Sequence, residues 1–395
     1  MRRLGLRMST TRVAVAYTNT ADGADAGREL ASGLLKTLGD GKIDCIIVFA
    51  SPHFQYETLL TALHTSCKPN CLVGCSSAGE FTQKMHKQGS AVAYAIQSDT
   101  LRFSAGLGCG VKGNFHQAAR EAAHGFKGID SLLPGKAALV LIDTLAGQSE
   151  DIVAELTTLT RGGHQFFGGG AGDNGQFQNT HVFMGTKAYE DAVLVLEILA
   201  DKPIGIGSAN GWEPDSALMR VTAAHGSLIE SINSLPALDV YEEYARNIGI
   251  PFDRNKPLPF FLEHIIGVET AGQYRLRVPL SGTADGAIQC AADVPVHSLI
   301  RVMKATTHSA RAAAAAATRT ALSHMAGPPA AALFFDCVAT RLRLGSHFEQ
   351  ELQAVSDLLP DTPLAGCNTY GQVVRATGQF QGFHNCTAVV CVLPD

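Results

Sequence analysis

The chain has 395 residues, 46% hydrophobic and 17% charged, with a formal net charge of −5. That is long enough for two domains with sizeable cores, and the balance is that of a soluble globular protein. The small negative charge, with no run of Lys or Arg, gives no footprint for nucleic acid, and no apolar stretch reaches membrane-spanning length.

The N-terminal Met1-Arg-Arg-Leu-Gly-Leu-Arg-Met8 is basic, but the polar Ser9-Thr-Thr-Arg12 stands where a signal peptide needs its apolar region. Arg12 to Tyr17 reads as a strand. Asp22 to Leu38 reads as a helix with Ala31, Leu34, Leu35 and Leu38 on one face, stopped by Gly39-Asp-Gly41. Cys45 to Ala50 is a strand-like run, and Gln55 to Leu63 a second helix. Ala91 to Ile96 and Arg102 to Leu107 extend a sheet. Asn114 caps a helix through Gly125, and Ser149 caps Glu150 to Leu159. The run Ala138 to Ile142 is a strand, and Thr180-His-Val-Phe183 is expected to form a hairpin with Ala192 to Ile198. Gly, Pro and Asn cluster at Pro203 to Gly211, which places a boundary there: one domain over 12–205, a second over 206–395.

Beyond the single Trp212, Leu218 to Ala223 reads as a strand. Ile229 to Tyr241 reads as a turn opening a helix through Arg246, since Pro236 is tolerated in a first turn. Tyr274-Arg-Leu-Arg-Val278 alternates like a half-exposed strand. The alanine tract Ala312 to Ala317 is the middle of a helix from about Ser309 to Met325, stopped by Gly327-Pro-Pro329. Ala332 to Asp336 and Ala388 to Leu393 are strands.

One pattern organises these elements. Cys71-Leu-Val-Gly-Cys-Ser-Ser-Ala-Gly-Glu80 is a short apolar strand emptying into a tight turn. It is written again as Pro363-Leu-Ala-Gly-Cys-Asn-Thr-Tyr-Gly-Gln372, and more loosely as His164-Gln-Phe-Phe-Gly-Gly-Gly-Ala-Gly-Asp173. Each copy follows a strand and a helix-compatible segment and precedes another strand. Three unequal repeats of strand, helix, strand-turn and strand imply internal duplication: an α/β fold of two domains, with mixed β-sheets flanked by helices.

Several chemistries compete for the turns. Gly168 to Gly172 could cradle a phosphate, but no helix opens at its last glycine as a dinucleotide site requires, and glycines permitting positive φ explain it better. Ser76 and Ser77 beside Glu80 lack a nucleophile elbow and a placed His-Asp pair. A ligand lying against small residues fits better, with hydroxyls at Ser76, Ser77 and Thr369, the carboxylate of Glu80, and Tyr370 as a wall with a polar tip. His64, Cys67, Cys71 and Cys75 are the densest grouping for a soft metal, but their spacing suits residues packed into a strand and helix rather than zinc. The ten cysteines are scattered and need no pairing at this size. Cys45, Cys290, Cys337 and Cys391 read as buried thiols in a reducing cytoplasm.

The ordered set of motifs resembles the FIST family, sensory proteins of bacterial signal transduction with N-terminal and C-terminal FIST domains. The N-terminal likeness lies in Val73 to Glu80, Gly168 to Asp173 and Thr180 to Phe183. The C-terminal likeness lies in Leu235 to Tyr241, Phe335-Asp-Cys337, Gly366 to Gly371 and Phe383 to Thr387. Gln372 departs from the family's Gly-Glu, and Arg341 stands one position later than expected. The resemblance implies a cytoplasmic, non-enzymatic sensor that binds a small ligand and regulates a partner in trans. In the similar stand-alone subgroup the ligand is b-type heme sensing nitric oxide, and the partner is a histidine kinase or a cyclic-di-GMP enzyme. A homo-oligomer is compatible with that layout. With no Cys-x-x-Cys-His, heme would need an axial ligand, His181 first and His384 second. The expected ligand-binding set is Cys75, Ser76, Ser77, Gly79, Glu80, Gly169, Gly170, Asp173, Thr369 and Tyr370. The alternatives are an amino acid or similar metabolite in the same class of sensor, or an enzyme using Ser76, Ser77, Glu80 or Asp173.

Overall fold

The computed structural model describes residues 11–395 except positions 40 and 84; the basic Met1–Met8 segment and Asp40 of the expected helix stop lie outside the described residues. Three units of one design follow each other. The first has strands Arg12–Thr18, Cys45–Ala50, Cys71–Ser76 and Ala91–Gln97, with helices Gly23–Leu38 and Tyr56–Cys67. The second has strands Leu101–Cys109, Gly135–Ile142, Gln165–Gly170 and Ala192–Ala200, with helices Val111–Ala123 and Ser149–Leu159. The third has strands Gly205–Ala209, Pro329–Cys337, Leu364–Thr369 and Ala388–Pro394, with the alanine-rich helix Thr307–His324 and the short helices Val338–Leu344 and Glu349–Ser356. In each, the second and third strands are parallel, joined by a helical crossover, and the last strand lies antiparallel between the first and the second. The central strands are buried on both faces, so Cys45–Ala50 and Ala192–Ala200 are apolar runs rather than alternating ones.

The units exchange strands in a closed ring. After its Gly turn the first unit sends Glu80–Thr82 and Met85–Lys87 to the edge of the third unit's sheet. The second sends Val182–Met184 and Lys187–Tyr189 to the first. The third sends Gln372–Arg375 and Gly382–His384 to the second. The result is three six-stranded sheets. The expected hairpin of Thr180–Phe183 with Ala192–Ile198 is thereby corrected: Val182–Met184 pairs with Lys187–Tyr189, and both belong to a neighbouring sheet. The inner faces of all three sheets share one core, with Phe49, Phe167 and Phe335 among its members, and each outer face is covered by its own helices.

A glycine recurs at one register position because two backbones approach there. A Cβ on Gly74, Gly168 or Gly366 would stand 1.9, 2.3 or 1.8 Å from the carbonyl oxygen of Val48, Val140 or Phe334. Those are the paired residues on the parallel strand in each unit.

Between Ala209 and Thr307 the third unit carries a separate nine-stranded sheet with helix Ala237–Ile248 packed on it. The expected turn from Ile229 is partly a strand, Leu228–Ile232, and the helix begins at Ala237. Asn114 caps as expected from inside its helical segment, its Oδ1 accepting from the Gln117 amide. Ser149 does not cap: Gln148 precedes the helix in a left-handed conformation, with no side-chain bond. Thr306 and Ser309 close a capping box on the alanine-rich helix.

Candidate functional site

The exchange makes each chain leave its own sheet at a Gly turn, so the three turns meet at the centre of the ring. They are joined by three equivalent bonds. The Ala78 amide donates to the Asn368 carbonyl (2.9 Å), the Tyr370 amide to Gly170 (3.0 Å), and the Gly172 amide to Ser76 (2.9 Å). The Asn368 amide donates in turn to Gly79 and the Gly170 amide to Gly371. Backbone groups that a phosphate would need are therefore spent on each other. Gly79 and Gly371 make the sharp exits, with φ of 136° and 119°.

The expected ligand residues are brought together, but mostly as packing. Cys75, Ser76, Ser77, Glu80 and Thr369 are sealed from solvent, as are Gly79, Gly169 and Gly170. Glu80 sits in a cage of hydroxyls: Ser51 (2.8 Å), Ser90 (2.7 Å) and Ser77 all donate to its carboxylate. Burial pushes its titration up to about 7 against those donors. Gln372 occupies the corresponding place in the third unit, donating to Thr369 Oγ1 (2.9 Å) and accepting from the Thr387 amide (3.2 Å). The departure from Gly-Glu thus keeps the same wiring with a neutral group. Ser76 Oγ accepts from the His181 amide (2.9 Å).

Open space lies beside the turns. A partly open cavity of about 410 Å3 is bounded by the second unit around residues 144–151, by the third around residues 337–342, and by the inserted sheet. Tyr370 is the one member of the expected set on its wall. The Tyr370 hydroxyl donates to Asp173, accepts from the Gly175 amide (2.7 Å), and its ring stacks on Phe177 at 4.4 Å. Asp173 also accepts from the amides of Phe177, Gln178 and Asn179. Burial raises its titration, but those donors outweigh it and hold it low. The strap 174–179 divides two spaces: Gly175 and Phe177 face the cavity, and Asn174, Gln176 and Gln178 face an open polar cleft of about 860 Å3.

The cavity walls are largely apolar, with one cation. Arg277 is 3% exposed. It donates to the carbonyls of Asp293 (2.8 Å), Leu276 (3.0 Å) and Phe383 (3.2 Å), and its Nη2 stands 3.5 Å from Glu150. Burial brings its titration down to about 10. Alternation predicts a half-exposed strand here, and Gln273 is exposed and Arg275 partly so; Arg277, on the same polar face, is buried. Glu150 and Phe177 were also missed; no local pattern marks them.

Neither candidate histidine suits a heme iron, which needs a free imidazole nitrogen on an apolar wall. His181 lies in the polar cleft with Nε2 3.1 Å from Glu190 and Nδ1 without a partner. His384 is buried with Nε2 unpartnered, but it faces neither cavity, packing on Phe380 near Arg275 and Arg277. No group of three or more His, Cys, Asp and Glu is placed for a metal among the described residues, and the ten cysteines are free.

The profile of the FIST N domain matches residues 44–234 and that of the FIST C domain residues 237–375. Uncharacterized proteins from two strains of Mycobacterium tuberculosis, CDC 1551 and H37Rv, are each 21% identical over 406 residues, covering 97% of this chain and 100% of theirs. Among solved structures, a cyanuric acid hydrolase from A. caulinodans covers 98% of this chain and 99% of its own at 8% identity, with a TM-score of 0.34. PurL of T. maritima complexed with AMPPCP covers 97% and 72% at 10% identity, with a TM-score of 0.23. Likenesses that low carry no argument about activity.

Proposed function

Because the chain belongs to the FIST family, with the N and C domains in tandem, we propose that it is a non-enzymatic cytoplasmic sensor whose small ligand occupies this cavity. The observation that carries this reading is the cavity itself: about 410 Å3, largely apolar, lined from both halves of the chain and partly open to solvent, with one buried guanidinium on its wall. The ligand class it favours is an amino acid or a metabolite of similar charge. Arg277 offers a carboxylate its guanidinium, Glu150 offers an ammonium its carboxylate, and Leu262, Val278 and Phe177 offer apolar surface. At 3.5 Å the two charges offset each other before any ligand enters. The commitment of Ser76, Ser77, Glu80 and Asp173 to internal bonds supports a receptor over an enzyme built on them.

Occupancy acts on Phe177 and Tyr370, hence on the strap whose other side faces the open cleft. A partner in trans, a histidine kinase or a cyclic-di-GMP enzyme, reads that face. Heme b with nitric oxide has weaker support, since neither His181 nor His384 offers an axial nitrogen to an apolar space.

Trp212 packs in the same cluster as the cavity residues Val278, Cys337 and Ala339, so its fluorescence reports on this space. Titration with a panel of amino acids and small carboxylates is expected to give a saturable change for at least one. Arg277→Gln should weaken it by roughly 30-fold, the equivalent of about 2 kcal/mol for a charge-assisted contact; Ser77→Ala should not. A flat response across the panel, or binding indifferent to Arg277→Gln, rejects the reading. Hemin is the matching control: a saturable Soret band that moves with nitric oxide would favour heme instead.

A further inference from the structure

Two thiols on the cavity side of the third unit stand apart from the other cysteines. Cys337 ends the strand Pro329–Cys337, and Cys386 lies in the loop before Ala388–Pro394. Both belong to one buried cluster with Trp212, close enough for each thiol to shift the titration of the other. Cys386 holds a left-handed φ of 50°, unusual for a residue with a side chain. Cys337 is on the cavity wall, and Cys386 lies behind it.

We propose that Cys337 and Cys386 are a redox-active dithiol, with Cys337 the sulfur that attacks hydrogen peroxide entering the cavity and Cys386 the resolving partner. The Cys337 thiolate attacks a peroxide oxygen and the O–O bond breaks. A sulfenic acid forms on Cys337, and the departing hydroxide takes a proton to become water. The Cys386 thiol then gives up its proton and attacks the sulfenic sulfur; the S–O bond breaks, a second water leaves, and the disulfide forms. Two thiols lose two electrons in all, and the peroxide is reduced to two waters. The amides of Cys386 and Ala339 donate to the Cys337 sulfur, and together with the Cys386 thiol they hold it below the ordinary thiol range. Burial, with Cys337 and Asp336 beside it, pushes the Cys386 thiol well above the ordinary range, against the opposing charge of Arg343.

A second pair supplies the contrast. Cys75 and Cys367 are also neighbours in one buried cluster, but they lie between the sheets, fully buried, and line neither cavity. Contact without access should leave them reduced. Cys109 is exposed and serves as the measure of general oxidation.

The test is brief exposure of the native full chain to hydrogen peroxide, followed by denaturation, alkylation of remaining thiols, digestion and peptide mass mapping. The expected product is a peptide pair linked through Cys337 and Cys386, two hydrogens lighter than the reduced peptides, while Cys75 and Cys367 alkylate fully. In Cys386→Ser the sulfenic acid on Cys337 has no resolving thiol and should be captured by dimedone. Full alkylation of Cys337 and Cys386 once Cys109 is oxidised overturns the proposal, as does an oxidised Cys75 and Cys367 at the same dose. Should the variant fail to fold, the wild-type map decides alone. None of these outcomes depends on which ligand the cavity binds.

Discussion

Glu80 and His384 are both sealed from solvent, and burial moves their titrations in opposite directions. Burial lifts Glu80 to about 7. Burial, helped by the charges of Arg275 and Arg277, drives His384 down to about 3. Unfolded, the two groups titrate near 4.3 and 6.5. From about pH 4.3 to 7 the folded chain keeps a proton on Glu80 that the unfolded chain has lost, so this group lowers stability as pH rises. From about pH 3 to 6.5 the unfolded chain protonates His384 while the folded chain does not, so this group raises stability over that span. In the overlap they oppose each other. Glu80→Gln removes one side: relative to wild type its stability should climb by up to about 1.4 kcal/mol per pH unit between pH 4.5 and 7. Gln372 fills the corresponding place in the third unit with a carboxamide, bonded to Thr369 and Thr387. Urea midpoints across that range measure it, and a pH-independent difference between variant and wild type would refute the assignment.

At the scale of an element, the shared glycine position is a point of close backbone approach in each unit. Alanine at Gly74, Gly168 or Gly366 drives a methyl into a backbone carbonyl, which cannot swing away as a side chain can. Each substitution should cost about 3 kcal/mol or more, the upper end of overpacking. Gly168 should suffer most, because its φ of 128° also disfavours any side chain. A urea midpoint within about 0.5 kcal/mol of wild type at any of the three would contradict the close approach. These glycines are also what made the repeats legible, since the strand-turn motif is written around them. The helices were legible from apolar spacing, and the alanine tract from propensity. The destination of each short hairpin was not. Val182–Met184 and Gln372–Arg375 carry three or four residues apiece, and their composition fits any sheet edge. Arg277 was hidden for a related reason: alternation says which face is polar, and only the fold says what covers that face.

The exchange has a consequence for the whole molecule. Each sheet is completed by a strand pair from another unit, and one core lies between all three. Cutting the chain between residues 205 and 206 would therefore leave Glu80–Thr82 and Met85–Lys87 without the sheet they complete and deprive the second unit of Gln372–Arg375 and Gly382–His384. It would also uncover Leu333, Phe335 and Val389 on one side of the core and the residues they touch on the other. At about 1.5–3 kcal/mol for each large apolar side chain exposed, the loss is on the order of 10 kcal/mol. That matches the entire net stability of a typical domain, about 5–15 kcal/mol. The intact chain should thus unfold in urea with coincident fluorescence and far-ultraviolet transitions through the ring. Fragments 1–205 and 206–395, made separately, should bind a hydrophobic dye and lack a cooperative transition, and mixing should restore one. The strand exchange would be a superficial tie if either fragment alone gave a sharp transition and a dispersed amide spectrum. In the tied form, a change at the cavity wall cannot stay within one unit: Tyr370 reaches it from the third unit, Phe177 from the second, and the backbone bond from Tyr370 to Gly170 joins the two at the centre.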